Sequence, residues 1–102
     1  MIHVVAVITA KPGQRARLLE AFAGNRAAVL AEAGCIEYAA TVDAQGIPTS
    51  KASFGSDTFV VVEKWETLAH LQAHAVAPHM KAHGEKTKEF VDSKLIHVLE
   101  PA

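Results

Sequence analysis

The 102-residue chain has a single cysteine, a single tryptophan and a single tyrosine, and no excess of charge of either sign. One thiol, Cys35, excludes an intramolecular disulfide and fits a reducing cytoplasm. Ten basic against eleven acidic side chains leave a formal charge of -1, which provides no field to hold a phosphate backbone, so nucleic acid is not an expected partner. No apolar run approaches the ~20 residues that span a bilayer, and no basic, apolar leader pattern precedes the strand-like start at Ile2. Repeats, low-complexity tracts and linker-like stretches are also missing, so one domain over residues 1–102 is expected. At this length about 65% of the unfolded chain's surface can be buried, enough for a core without metals or disulfides. Six histidines against one tryptophan and one tyrosine are the odd entry in the composition.

Ile2 to Ala10 is rich in β-branched residues and stops at Lys11-Pro12-Gly13, a strand and its break. From Gln14 the period lengthens: Leu18, Phe22, Val29 and Ala33 draw one helical stripe, and Gly34 follows as a left-handed stop. Cys35 to Val42 reads as a second strand. Asp43 to Asp57 carries Gly46, Pro48, Ser50, Ser53, Gly55 and Ser56, a long loop of the kind that is functional or mobile. Thr58 to Trp65 is the most strand-like segment, and Thr67 is placed to cap a helix from Leu68. Pro78 interrupts that helix, a further one runs from about His79 to Val91, and Lys94 to Glu100 closes as a strand. The order β-α-β-β-α-α-β gives an α+β fold: a ferredoxin-like split βαβ with an antiparallel four-stranded sheet and helices on one face. The opposite face then has no cover within the chain, which predicts self-association.

By the period of two, Phe59, Val61, Glu63 and Trp65 share one face of their strand. A carboxylate and an indole where a helix starts could line a small cavity. Equally, Trp65 could plug the gap between sheet and helix while Glu63 pairs with a cation. His70, His74, His79 and His83 form two pairs at i,i+4. With Leu68 and Leu71 inward, His74 falls beside the apolar stripe and His70 turns away. On the last helix His83 joins Met80, Thr87, Phe90 and Val91 in the stripe, with His79 at its margin. Each pair is therefore split between an inward and an outward member. No cysteine or carboxylate completes a zinc set, so no metal is expected. Two inward histidines above one sheet point to a pocket. Tyr38, on the strand face of Ile36, could present its hydroxyl there. Cys35 reads as a small buried hydrophobe, and His3 and His97 as structural residues of neighbouring terminal strands.

The opening strand with Lys11-Pro12-Gly13, the run Gly34-Cys35-Ile36-Glu37-Tyr38, and the stretch Phe59 to His79 with Glu63, Trp65, Leu71, His74 and Pro78-His79 together resemble the antibiotic biosynthesis monooxygenase family. The resemblance covers nearly the whole chain. It implies a dimeric α+β barrel with a cavity between sheet and helices in each protomer. It also implies oxygenation of a quinol or phenol by dioxygen with no metal, flavin or other cofactor. His74 would be the base, Glu63 its orienting carboxylate, Trp65 an apolar wall and His83 a second group from the last helix. Tyr38, Phe22, Met80 and His79 would contact the substrate. The asparagine that polyketide-oxidising members carry four residues before the tryptophan is Val61 here, and the first strand has no asparagine of the haem-degrading kind, so neither activity is carried over. Proton abstraction or isomerisation on a small carbonyl compound, and a non-catalytic dimeric ligand-binding module, are the competing expectations.

Overall fold

The computed structural model describes residues 1–47 and 51–102; Pro48 and Ser50 of the long loop lie outside the described residues. The elements in order are β1 (Ile2–Ala10), α1 (Arg15–Leu30), β2 (Cys35–Thr41), β3 (Thr58–Trp65), α2 (Leu68–Ala75), α3 (Pro78–Thr87), a 3-10 turn (Lys88–Phe90) and β4 (Val91–Leu99). The strands pair antiparallel in the order β2-β3-β1-β4, the expected ferredoxin-like arrangement. Thr67 caps α2 by accepting the His70 N–H, and Pro78 opens α3, where its missing N–H has no helical partner to lose.

Several boundaries differ from the sequence reading. The first helix stops at Leu30 rather than Ala33. The chain then turns through bonds from Glu32 N–H to the Val29 carbonyl and from Cys35 N–H to the Glu32 carbonyl. Gly34 takes its positive φ of 80° in that turn, one residue before β2. At the other end α3 gives way after Thr87, whose hydroxyl donates to the His83 carbonyl at 2.8 Å. β4 begins at Val91, not Lys94, because its pairing with β1 continues across a bulge to Ala10. A further bulge at the start of β2 sets Cys35 opposite Trp65 and Glu37 opposite Lys64. Ile36 is thus lifted out of the ladder and half exposed, and does not share the buried face of Tyr38 as expected.

The sheet register fixes the floor beneath the helices. Three cross-strand rows run over β3, β1 and β4: Glu63–Val4–Val98, Val61–Ala6–Ile96 and Phe59–Ile8–Lys94. Leu18, Phe22 and Val29 of α1 press on this floor, the inward side of the stripe read from sequence. The helices pack over β2, β3 and β1, leaving β4 clear, so Ile96 and Val98 stay 62% and 50% exposed on the helix side. On the reverse face Val5, Val7, Val60 and Val62 are half-buried and Leu95 is exposed. Among the described residues no helix is long and apolar enough to cross a membrane.

Gly34 generates a stability prediction. A Cβ there would run into the ring and Cβ of His70, and the backbone is left-handed. Gly34→Ala should cost ~2 kcal/mol or more and lower the thermal midpoint by about 10 °C, read by circular dichroism. Gly24, on an open face within α1, has nothing near its missing Cβ. Gly24→Ala should raise stability by ~1 kcal/mol.

Candidate functional site

Between the floor and the helices lies a cavity of about 830 Å³, open on one side and mostly apolar in its walls. Val4, Ala6, Phe59 and Val61 form its base, Leu18 and Phe22 one wall, Leu71, Met80 and His83 another. At one end the polar groups Glu63, Tyr38 and His74 come together, drawn from β3, β2 and α2. Sheet register places Tyr38 beside Glu63. The first turn of α2, fixed by the Thr67 cap, sets His74 facing in, 5% exposed.

His74 is held by carboxylates on both sides. Its Nδ1 lies 2.7 Å from Glu32 Oε2, and its Nε2 lies 4.0 Å from Glu63 Oε1. The short contact assigns the proton of Nδ1 to the Glu32 bond and turns the Nε2 lone pair toward the cavity. At 4.0 Å the second contact is too long for a hydrogen bond. Glu63 instead accepts the indole N–H of Trp65 at 3.0 Å. Trp65 is fully buried and its ring sits 4.6 Å from that of His74. Glu32 also receives His79 Nε2 at 3.2 Å, and His79 Nδ1 is in turn 3.3 Å from Asn25 Oδ1 on α1. A continuous polar chain therefore runs Asn25–His79–Glu32–His74, and across the gap to Glu63–Trp65.

Burial raises the pKa of Glu63, a rise opposed by the Trp65 hydrogen bond and by His74. Tyr38 is pushed up by burial and then by Glu63 and Glu32, so its hydroxyl remains a donor. Its ring stacks on Phe22 at 4.8 Å and meets His74 edge-on at 5.7 Å. His83 is shifted down by burial and then by Lys94, Lys86 and His79, which favours the neutral ring at neutral pH. The Cys35 thiol is raised by burial and by Glu32 and Glu63, the opposite of an activated nucleophile.

The structure brings His74, Glu63, His83, Tyr38, Phe22 and Met80 to one cavity, as the sequence reading expected. Trp65 and His79 do not line it. Trp65 lies behind Glu63 and holds that carboxylate rather than forming a wall, and His79 is turned away to reach Glu32. Leu68, expected inward, is 49% exposed at the rim. His70 is outside the cavity but not idle: it packs over Gly34 and its Nδ1 meets the Thr67 hydroxyl at 2.8 Å. Glu32 was missed. Two signals marked it: it follows Val29 at i+3, beside the apolar stripe, and it is an acid at a helix C-terminus, where the macrodipole disfavours negative charge. The loop from Asp43 to Asp57, read from its length as functional or mobile, could cover the cavity or reach a partner. Its described residues do not line the cavity; Asp43 closes the loop on itself by accepting the Phe54 and Gly55 N–H groups.

The comparisons with known proteins agree with this architecture. Residues 1–86 match the sequence profile of the family described as antibiotic biosynthesis monooxygenase. The chain is 43% identical to an Escherichia coli K12 protein named "Probable quinol monooxygenase YgiN", over 99% of this chain and 98% of that one. It superposes on the crystal structure of PA3566 from Pseudomonas aeruginosa with a TM-score of 0.81 and 25% identity, covering 99% of this chain and 93% of that one. A conserved protein from Methanosarcina mazei superposes at 0.83 with 20% identity, over 99% and 92% of the two chains, a likeness of fold.

Glu63 gives a pH-dependent prediction. Its folded pKa is raised above that of the unfolded chain, so the stability gained by protonating it is present at low pH and lost as pH rises through the folded value. Glu63→Gln keeps an acceptor for Trp65 without the charge. This variant should be more stable than wild type at pH 7, by on the order of 1 kcal/mol or roughly 4–8 °C. The advantage should shrink as pH falls through the raised folded value and be gone below about 4.3, the ordinary glutamate pKa. Thermal midpoints measured across that range check both the sign and the slope.

Proposed function

Since the chain belongs to the antibiotic biosynthesis monooxygenase family, we propose that it is a cofactor-independent monooxygenase acting on a quinol or phenol with dioxygen as co-substrate. The observation that carries this reading is the His74 dyad: an imidazole whose Nδ1 is held at 2.7 Å by Glu32 while Nε2 faces an apolar cavity. The relative named as a quinol monooxygenase supports the substrate class.

The chemistry needs little from the protein beyond an anion and a dry enclosure. His74 Nε2 takes the proton of a substrate hydroxyl. The resulting imidazolium is stabilised between the carboxylates of Glu32 and Glu63, the role a carboxylate plays beside a catalytic histidine. The electron-rich quinolate passes an electron to dioxygen, and the two radicals join as a carbon–oxygen bond. The adduct gains a proton to become a hydroperoxide, then loses its ring C–H proton and breaks its O–O bond to leave a carbonyl. Quinol and dioxygen thus give a hydroxyquinone and water. Tyr38 donates a hydrogen bond from one side, His83 meets the substrate from α3, and Phe22 and Met80 flank its ring. Trp65 acts through Glu63 and His79 through Glu32, as positioning residues.

His74→Ala should lower turnover by ~10²- to 10⁴-fold while the chain stays folded. Glu32→Gln should cost about 10- to 100-fold, chiefly in kcat. Oxygen uptake with methylhydroquinone and its homologues measures both. Turnover of a carbonyl compound without oxygen uptake would move the same dyad to an isomerase, and a wild-type protein inert in both assays would sink the enzyme reading.

The reading includes a homodimer in the cytoplasm. It is supported by the apolar reverse face of the sheet and by β4, whose Leu95, Ile96, Val98 and Leu99 remain about half exposed or more in the single chain. A twofold interface of roughly 2,000 Å² or more is expected. Sedimentation equilibrium should give twice the chain mass; a monomer at every concentration would overturn the dimer.

A further inference from the structure

The cavity is charged differently at its two ends. Glu63 lies opposite Val4 and Lys94 lies opposite Ile8 on the same face of the sheet. Four residues along the strands and two inter-strand spacings across put these backbones about 16 Å apart on the diagonal. At the Glu63 end stand the carboxylate and His74. At the other end Lys94 of β4 lines the cavity, which Lys81 and His83 of α3 also border. Among the described residues the ion pairs engage Lys64 and Lys88 but neither Lys81 nor Lys94. Two ammonium groups without a carboxylate partner, bordering an apolar floor, favour an anion in the cavity over a cation. His83 is lowered first by burial and then by Lys94, which lies near enough to act on it.

We infer that the cavity selects an aromatic ligand carrying one negatively charged substituent. Its ring lies on the Val61–Ala6 floor with a hydroxyl toward His74, and its anion lies away from Glu63, within reach of Lys94 and Lys81. The diagonal suits a fused two-ring system, because the long lysine stems can fold inward along the apolar rim to meet the charge. The lysines determine specificity and take no part in the proton transfer. The inference rests on the assignment of this cavity as the substrate site, and not on the oxidation.

Calorimetric titration of the full chain with two inert, nearly isosteric probes separates the two claims. Naphthalene-2-carboxylate should bind about tenfold or more tightly than naphthalene-2-carboxamide at low salt, and added salt should narrow the gap. Lys94→Met and Lys81→Met should each weaken the carboxylate by about three- to tenfold and leave the carboxamide unchanged. Equal affinity for the two probes, no binding of either, or lysine variants that shift both alike would overturn the inference. Oxygen uptake on neutral methylhydroquinone is read in parallel. Uptake without charge discrimination sinks only the inference, and charge discrimination without uptake on any hydroquinone sinks only the monooxygenase reading.

Discussion

The arrangement of the helices depends on one carboxylate. Glu32 stands just past the end of α1, and through His74 and His79 it ties α2 and α3 to that point. Its side chain is 17% exposed and that of His74 7%, so neither can rely on water. Removing one partner from such a buried pair typically costs ~3–5 kcal/mol, because the other is left desolvated. The two short helices are weak by themselves: α2 has eight residues and α3 ten, lengths at which isolated helices do not persist. Their position above the sheet is set by what they reach for. A cavity is left where the helices are held at a distance by polar contacts, instead of collapsing onto the floor.

The sheet contributes the second constraint. Its register is fixed by alternation, since a slip of one residue would expose Phe59, Val61 and Trp65 together. That same alternation places Glu63 inside, at a position flanked by buried apolar residues. A carboxylate there is a conflict between pattern and chemistry, and the protein resolves it with the Trp65 indole and the neighbouring imidazole. Conflicts of this kind concentrate at functional sites, where local stability is given up for a group held ready in a low-dielectric setting.

Much of this was legible in the chain. β1 and β3 carry period-two signals unbroken by glycine or proline, and their ends agree with the sequence reading. Thr67 and Pro78 are capping residues with a local mechanism, so both short helices could be placed. His74 and His83 followed from the helical wheel. What failed was non-local. The turn that follows α1 brings Gly34 against the ring of His70, a contact between residues far apart in sequence. The start of β4 is decided by its pairing with β1, which overrides local propensity. The bulge at Ile36 broke the simple alternation that was to align it with Tyr38. Glu32 was overlooked because a lone acid near a helix end ordinarily reads as solvated, and only the third dimension brings two histidines to it.

His79 shows why spacing alone misleads. Its i,i+4 relation to His83 suggested one pair on one helix, yet the two side chains serve different ends of the structure. His83 lines the cavity, while His79 reaches back across α1 to Glu32 and Asn25. A hundred degrees of rotation per residue separates them only slightly on the wheel, but α3 crosses the edge of the cavity, and that small angle carries one ring inside and the other behind the wall. The pairing that matters is between His74 and His79, on different helices, which share an oxygen of one carboxylate. The second of these rings holds the carboxylate that holds the first. The imidazole at the cavity is therefore positioned through three helices at once, and the precision of its Nε2 belongs to the packing of the whole helical layer.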